Sequence, residues 1–263
     1  MKDYLEHYEG KIYALSPIYV GSGEKIKKNA YIYAPRNHRV VIPDIEKMYT
    51  ALRKKGLERE FTSYLMSSGD RGPSLAQWLG SHGISEKEWR EWKRYEMDAG
   101  EAFLQLGPRK KSSDIDGFCR DGYGMPYVPG SSIKGMLRTA LLASEIENNP
   151  EKYKRIALEI SEKSQERAKR IPDRACLMKE TQKLEQQAFY TLGREQRLNS
   201  AVNDHMAGLL VGDSEPIDLE QLTLSQKIDV TLNGEEKPLP ILRETLKPGT
   251  EIRFSLTIDL SLI

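Results

Sequence analysis

Cysteine is nearly missing from this chain. Cys119 and Cys176 stand far apart, with no Cys-x-x-Cys or His-flanked spacing, so neither a disulfide framework nor a zinc site is expected. Long apolar runs are missing too. Nothing approaches the ~20 residues that cross a bilayer, and the opening MKDYLEHYEG has no secretory apolar stretch, which makes the cytoplasm the expected address and excludes a membrane partner. Net charge is the third shortage: 40 Lys and Arg face 39 acidic residues, for a formal +1. A free-standing nucleic-acid binder is normally more basic, so any contact with nucleic acid has to come from a local surface. Histidine is sparse as well. His7, His38, His82 and His205 are scattered through different segments, and no paired-acid motif accompanies them, so no catalytic residue, metal or cofactor is assigned. Of the four, His205 in NDHMAG is the best placed.

What the chain does have is strands at both ends and helices between them. GKIYALSPIYVGSG alternates and then breaks at Gly-Ser-Gly, predicting a strand that ends in a turn. AYIYAPRNHRVVIPD predicts a hairpin around PRNH, and Pro43-Asp44 opens a helix in which Ile45, Met48, Tyr49 and Leu52 share a face. From Leu57 to Asp98 come short charged helices. Ser85 with Glu88 fits a capping box at the head of a helix EKEWREWKRYEM, whose Trp89 and Trp92 are expected to dock it on the body rather than to stack on bases. LGPRKKSSDIDGFCRDGYGMPYVPG looks like a long surface connection. A charged helical block then runs from Ile133 to about Leu192 with breaks at Pro150 and Pro172, and strands return in AGLLVGDSEPI, LTLSQKIDV and the two runs joined by Lys247-Pro248-Gly249-Thr250.

YVPGSSIKGMLRTALL, Tyr127 to Leu142, carries the chemistry. Pro129-Gly130 makes a turn, Ser131 or Ser132 caps, and Ile133, Met136, Leu137, Ala140 and Leu141 give an apolar stripe. A helix N-terminus with free amides is an anion site, and Gly130 permits close backbone approach. Lys134 and Arg138, four apart, add a point charge and a fork on one side. A nucleotide P-loop is excluded because Lys134 precedes Gly135 and no hydroxyl follows. On spacing alone, an ordinary capped helix with solvated cations remains the other reading.

FCRDGYGMPYVPGSSIKGMLRT resembles the Gly-rich segment of the RAMP superfamily of CRISPR RNA-binding proteins, with its apolar strand, P-G-S-S-[apolar]-K-G and Arg-bearing helix. LSPIYVGSGEK, VVIPDIEKMY, VGDSEPI, LTLSQKIDV and LPILRETLKPGTEIRFSLTI resemble the family's other strands in order. Within the superfamily the nearest likeness is the subunit that caps the 3′ end of the guide RNA in the type III-A Csm effector complex, on the strength of the long helical insertion and the PLPILRETLKPGT passage.

The resemblance implies an α+β fold, a ferredoxin-like, RRM-like antiparallel sheet domain with large helical insertions. Residues 1–56 would supply its first strands and helix, 57–125 a helical insertion and a basic Gly/Pro-rich connection, 126–142 the Gly-rich loop and helix, 143–205 a charged helical insertion, and 206–263 the last strands. The second sheet domain usual in the family is not found in this sequence. The implied partners are CRISPR RNA, the backbone and other Csm subunits, and a separate nuclease that trims the RNA. Gly130, Ser131, Ser132, Lys134 and Gly135, helped by Arg138, would line the RNA backbone. Gly21, Gly23 and Lys25 of GSGEK would bring further donors or simply turn the chain; Arg120, with Arg109, Lys110 and Lys111, would track phosphates or stay in a solvated linker. Asp213 and Ser214 are read as a local turn. The competing functions are an endoribonuclease that processes precursor RNA and a structural subunit that barely touches it.

Overall fold

A computed structural model describes residues 4–67, 72–100, 102–103, 114–167, 177–197 and 200–262. In chain order the strands are β1 Leu5–Tyr13, β2 Gly21–Ile26, β3 Ile32–Ala34, β4 Arg39–Pro43, β5 Lys93–Asp98, β6 Ile115–Phe118, β7 Leu209–Ser214, β8 Leu222–Val230, β9 Glu236–Leu246 and β10 Glu251–Asp259. The helices are α1 Ile45–Lys54, α2 Glu58–Ser67, α3 Leu75–Ser81, α4 Glu86–Arg90, α5 Gly130–Asn148, α6 Pro150–Arg167 and α7 Met178–Phe189. The chain forms two compact units, one of residues 1–11, 128–214 and 253–263, the other of residues 12–127 and 215–252.

In the larger unit a seven-stranded sheet runs β2-β6-β9-β8-β5-β4-β3. The expected PRNH hairpin is there, with Tyr33 opposite Val40, and His38 takes the left-handed conformation its turn needs, at φ 50°. Asp44 caps α1 by accepting from the Glu46 and Lys47 amides at 3.1 Å. The Ser85 amide donates to Glu88 Oε2 at 2.8 Å, the carboxylate half of the predicted capping box, and the Ser85 hydroxyl donates to the same oxygen at 2.8 Å. The helices bury an aromatic core against β3 and β4, in which Phe61, Tyr64 and Trp78 lie within 6.1 Å of one another, ring to ring. Trp89 and Trp92 belong to that core, which is the docking role expected of them.

Three expectations change here. The predicted helix EKEWREWKRYEM is the one-turn α4 followed by strand β5; Tyr95 and Met97 are buried at alternate positions, and that two-residue period decides for a strand. GSGEK is not a turn. Pro17 interrupts the alternating run, Ile18 makes a lone bridge to Leu246, and Gly21 to Ile26 then pair with β6 as the outer strand of the sheet. The Gly/Pro-rich connection contains β6, whose Ile115 and Phe118 are among the most buried residues. Within this sheet β5 pairs β8 and β6 pairs β9 in parallel, which the long stretches of chain between those strands permit, and the other pairs are antiparallel.

The smaller unit carries the sheet β1-β10-β7 together with α5, α6 and α7. The break expected at Pro150 is there, between the end of α5 and the start of α6, while Pro172 lies outside the described residues. Tyr153, Ala188, Phe189, Met206 and Leu209 form its core, with Leu137, Leu142 and Ile146 of α5 packed on it. The buried seam of α5 therefore runs Ile133, Leu137, Leu142, Ile146, while Met136 and Leu141 of the predicted stripe are about half exposed.

Candidate functional site

Six candidate residues fall in the smaller unit, on the first turns of α5. The helix starts two residues earlier than a Ser131 cap would have it and three earlier than a Ser132 cap: Pro129 holds the cap position with no side-chain hydrogen bond, and Gly130 is already helical. Gly130 is buried against β7, where a Cβ would stand 2.7 Å from the Gly212 carbonyl carbon and oxygen. Only glycine lets the two backbones meet there. Its amide is not free. It donates to Asp213 Oδ1 at 2.7 Å, while the Val128 amide donates to Ser214 Oγ at 2.9 Å and the Ser214 amide to the Val128 carbonyl at 2.9 Å. Asp213 and Ser214 thus clamp the loop from 83 and 86 residues away, not as a local turn.

The clamp revises the row of free amides predicted for this turn. Besides Gly130, Ser132 and Ile133 both donate to the Pro129 carbonyl, at 2.9 and 3.2 Å. What faces outward is the Ser131 amide, the exposed Ser131 and Ser132 hydroxyls and the half-buried Lys134, none of which has a hydrogen-bond or ionic partner among the described residues. Gly135 completes this surface. It is exposed, and a Cβ on it would meet nothing within 4 Å. An exposed mid-helix glycine costs about 0.5–1 kcal/mol relative to alanine, and nothing within this unit requires one.

Arg138 is committed elsewhere. Nε binds Glu185 Oε2 at 3.1 Å, Nη1 binds Asp204 Oδ2 at 2.8 Å, and the guanidinium lies 4.2 Å over the Phe189 ring. With both carboxylates in place it ties α5 to α7 and to the turn after it, and we leave it out of the anion surface. His205 is held in the same region, with Nδ1 2.9 Å from Thr191 Oγ1 and its ring edge-on to Phe189.

The other four candidates lie in the larger unit. Gly21 and Gly23 are exposed on β2, Gly23 at φ +81°, and Lys25 reaches Asp116 at 3.4 Å. Arg120 is not a linker cation. Its Nη2 sits 3.0 Å from both oxygens of Glu244, which is fully buried, and 2.8 Å from the Tyr95 hydroxyl; its Nη1 donates to the Gly124 carbonyl at 2.9 Å. The Tyr95 hydroxyl and the Phe118 amide also donate to Glu244, at 2.6 and 2.9 Å, so the buried charge is fully coordinated. Burial, with Glu244 beside it, pushes the Tyr95 phenol above the ordinary tyrosine range. This network is structural, and Arg120 is withdrawn from phosphate contact on that ground. Arg109, Lys110 and Lys111 lie outside the described residues. Among the described residues no group of His, Cys, Asp and Glu could hold a metal, and no helix is long and apolar enough to cross a membrane.

Comparison with known proteins follows this geometry. The model of the RAMP superfamily matches residues 11–262. The CRISPR system Cms protein Csm5 of Mycobacterium tuberculosis (strain ATCC 25618 / H37Rv) is 28% identical over 280 residues, covering 99% of this chain and 68% of that protein. Csm5 of Streptococcus thermophilus is 28% identical over 260 residues, covering 98% and 65%. The crystal structure of T. onnurineus Csm5 superposes with a TM-score of 0.64 at 21% identity over 96% of this chain and 68% of that one. A cryo-EM structure of a Csm–crRNA–target RNA ternary complex of a type III-A CRISPR-Cas system contains a chain that superposes with a TM-score of 0.61 at 20% identity, over 95% and 64%. The chain spans about two thirds of the length of these relatives.

Proposed function

The chain belongs to the RAMP superfamily, and from that premise we propose that it is a CRISPR-RNA-binding subunit of a type III-A Csm complex. It sits at the 3′ side of the guide RNA and supports the RNA's maturation and the assembly of the complex, leaving cleavage to a separate nuclease. The relatives' names and the ternary complex among the structural neighbours support this reading. The observation that carries it is the surface of α5. Gly130 and Asp213 lock the loop from behind, and Ser131, Ser132, Lys134 and Gly135 are left facing outward with no partner of their own.

That surface suits a phosphodiester strand and not a base. A lone amide, two hydroxyls and an ammonium can all donate to phosphate oxygens, and Gly135 lets a ribose-phosphate chain rest on helix backbone. Such a grip is indifferent to sequence, as a subunit that must accept any spacer requires. The test is purification of the chain from its host, followed by sequencing of the RNA and identification of the proteins that accompany it. A short guide RNA with Csm-type subunits is the expected outcome. Cutting of a repeat-containing transcript by the isolated chain, abolished by a histidine substitution, would instead make it an endoribonuclease.

A further inference from the structure

The larger unit carries a basic cleft apart from the α5 surface. Between β4, β5 and the segments at Leu219–Glu220 and Lys247 is a cleft of 440 Å³. Four cations line it, Arg39, Lys93, Arg94 and Lys247, against two carboxylates, Glu96 and Glu220, an excess of two positive charges on a chain whose whole formal charge is +1. One of those carboxylates is already engaged: Glu96 has Lys93 at 3.5 Å on one oxygen and Arg90 at 3.9 Å on the other. Lys247 donates to the Glu220 main-chain carbonyl at 2.6 Å, which fixes its position without cancelling its charge.

Arg39 and Arg94 have no carboxylate within ion-pair distance among the described residues. Arg53, Arg90, Arg138, Arg155 and Arg243 do, and Arg120, which lines the adjoining cavity of 540 Å³ with Arg94, shows what a structural guanidinium looks like, bound on both oxygens of Glu244. Two arginines without a carboxylate partner lining one concave cleft suit an oxyanion with two faces to offer, and a phosphodiester has that geometry. Because Arg94 lines both cavities, an occupant can run from one into the other. An extended polyanion fits that continuity better than a single small anion does.

We propose that the cleft between β4 and β5 binds the backbone of single-stranded RNA through Arg39 and Arg94, as a second phosphate contact independent of α5. It rests on the reading of the chain as an RNA-binding subunit. The test titrates labelled single-stranded RNAs of two unrelated sequences with the full chain, with R39Q/R94Q, with R39K/R94K and with K134A, at several salt concentrations and with thermal melts in parallel. R39Q/R94Q should keep the wild-type melting temperature, bind both RNAs about tenfold more weakly, and lower the slope of log K against log salt by about 1.4, at ~0.7 per phosphate contact. R39K/R94K should recover most of that slope. Unchanged affinity and slope in R39Q/R94Q, with K134A weakened, would overturn the cleft and leave the α5 surface standing; the reverse pattern would support the cleft and remove the α5 surface. Absence of RNA binding by the wild-type chain would overturn both. Competition by inorganic phosphate or by polyglutamate as effective as by unlabelled RNA would overturn the assignment to RNA in favour of a small anion or an acidic protein.

Discussion

Gly130 and Gly135 stand five positions apart on one helix and do opposite things. The first is walled in by the Val211–Gly212 backbone and the second faces open space. Gly130→Ala should therefore destabilise the protein by about 1–3 kcal/mol, the usual cost of forcing atoms into a filled contact, measured as a shift of the urea midpoint. Gly135→Ala should leave stability unchanged or raise it by about 0.5–1 kcal/mol while weakening RNA binding, because the added methyl stands where the ribose-phosphate chain passes. Loss of stability with unchanged binding in that variant would place Gly135 among structural residues. Asp213→Ala removes the acceptor for the Gly130 amide and should cost about 1–2 kcal/mol, as loss of a helix cap does, with RNA affinity falling as the loop loosens. The glycines and serines of this motif were legible in the sequence because their spacing from Pro129 is local. Asp213 was not, since its partner lies 83 residues away and polar residues at a strand end read equally well as a turn.

At the scale of elements, two arginines that look alike in sequence as RNA ligands prove to be fasteners. Arg138 holds α5 to α7, and Arg120, just after β6, neutralises the buried Glu244 of β9. Arg120→Ala should cost about 3–5 kcal/mol, because it strands a buried carboxylate; the salt slope of RNA binding should not change in whatever fraction stays folded. Charge count alone does not separate a cation that binds a ligand from one that binds its own protein; only the partner's position does. The elements themselves were legible wherever period and punctuation agreed. α1 with its Asp44 cap, the β3–β4 hairpin and the proline-bounded α5 and α6 all follow from local signals. β6 was hidden because four residues give no measurable period inside a Gly/Pro-rich stretch, and the run after Ser85 changes period within two residues, from α4 to β5. The capping box at Ser85 also predicts an acid-side effect. Hydrogen bonds from Lys55 and from Ser85 hold the Glu88 carboxyl at about 2, below the ordinary glutamate value of 4.5, so its contribution is present above pH 4.5 and is lost as pH falls toward 2. The melting temperature of Glu88→Gln should approach that of the wild type over that interval. A constant gap between them would show that Glu88 has no such role.

For the whole molecule, near-neutral net charge and RNA binding are compatible because many of the described cations are matched by the chain's own acids, as the ion pairs on α1, α4, α6 and α7 show. Among the described cations with no carboxylate partner, Lys134 lies on the smaller unit and Arg39 and Arg94 line the cleft of the larger. Fold class was readable from the order of strands and helices, but the split into two sheets was not, because β9 and β10 follow each other through a four-residue turn and still join different sheets. The central claim is that RNA lies along the outward side of the first turns of α5. Ultraviolet crosslinking of the full chain to a uridine-rich single-stranded RNA, followed by mass spectrometry of the peptides, reads this directly. An RNA adduct on a peptide within Tyr127–Arg138, lost in Lys134→Ala and insensitive to the sequence flanking the uridines, is the predicted result; adducts found only on peptides outside that stretch would contradict it.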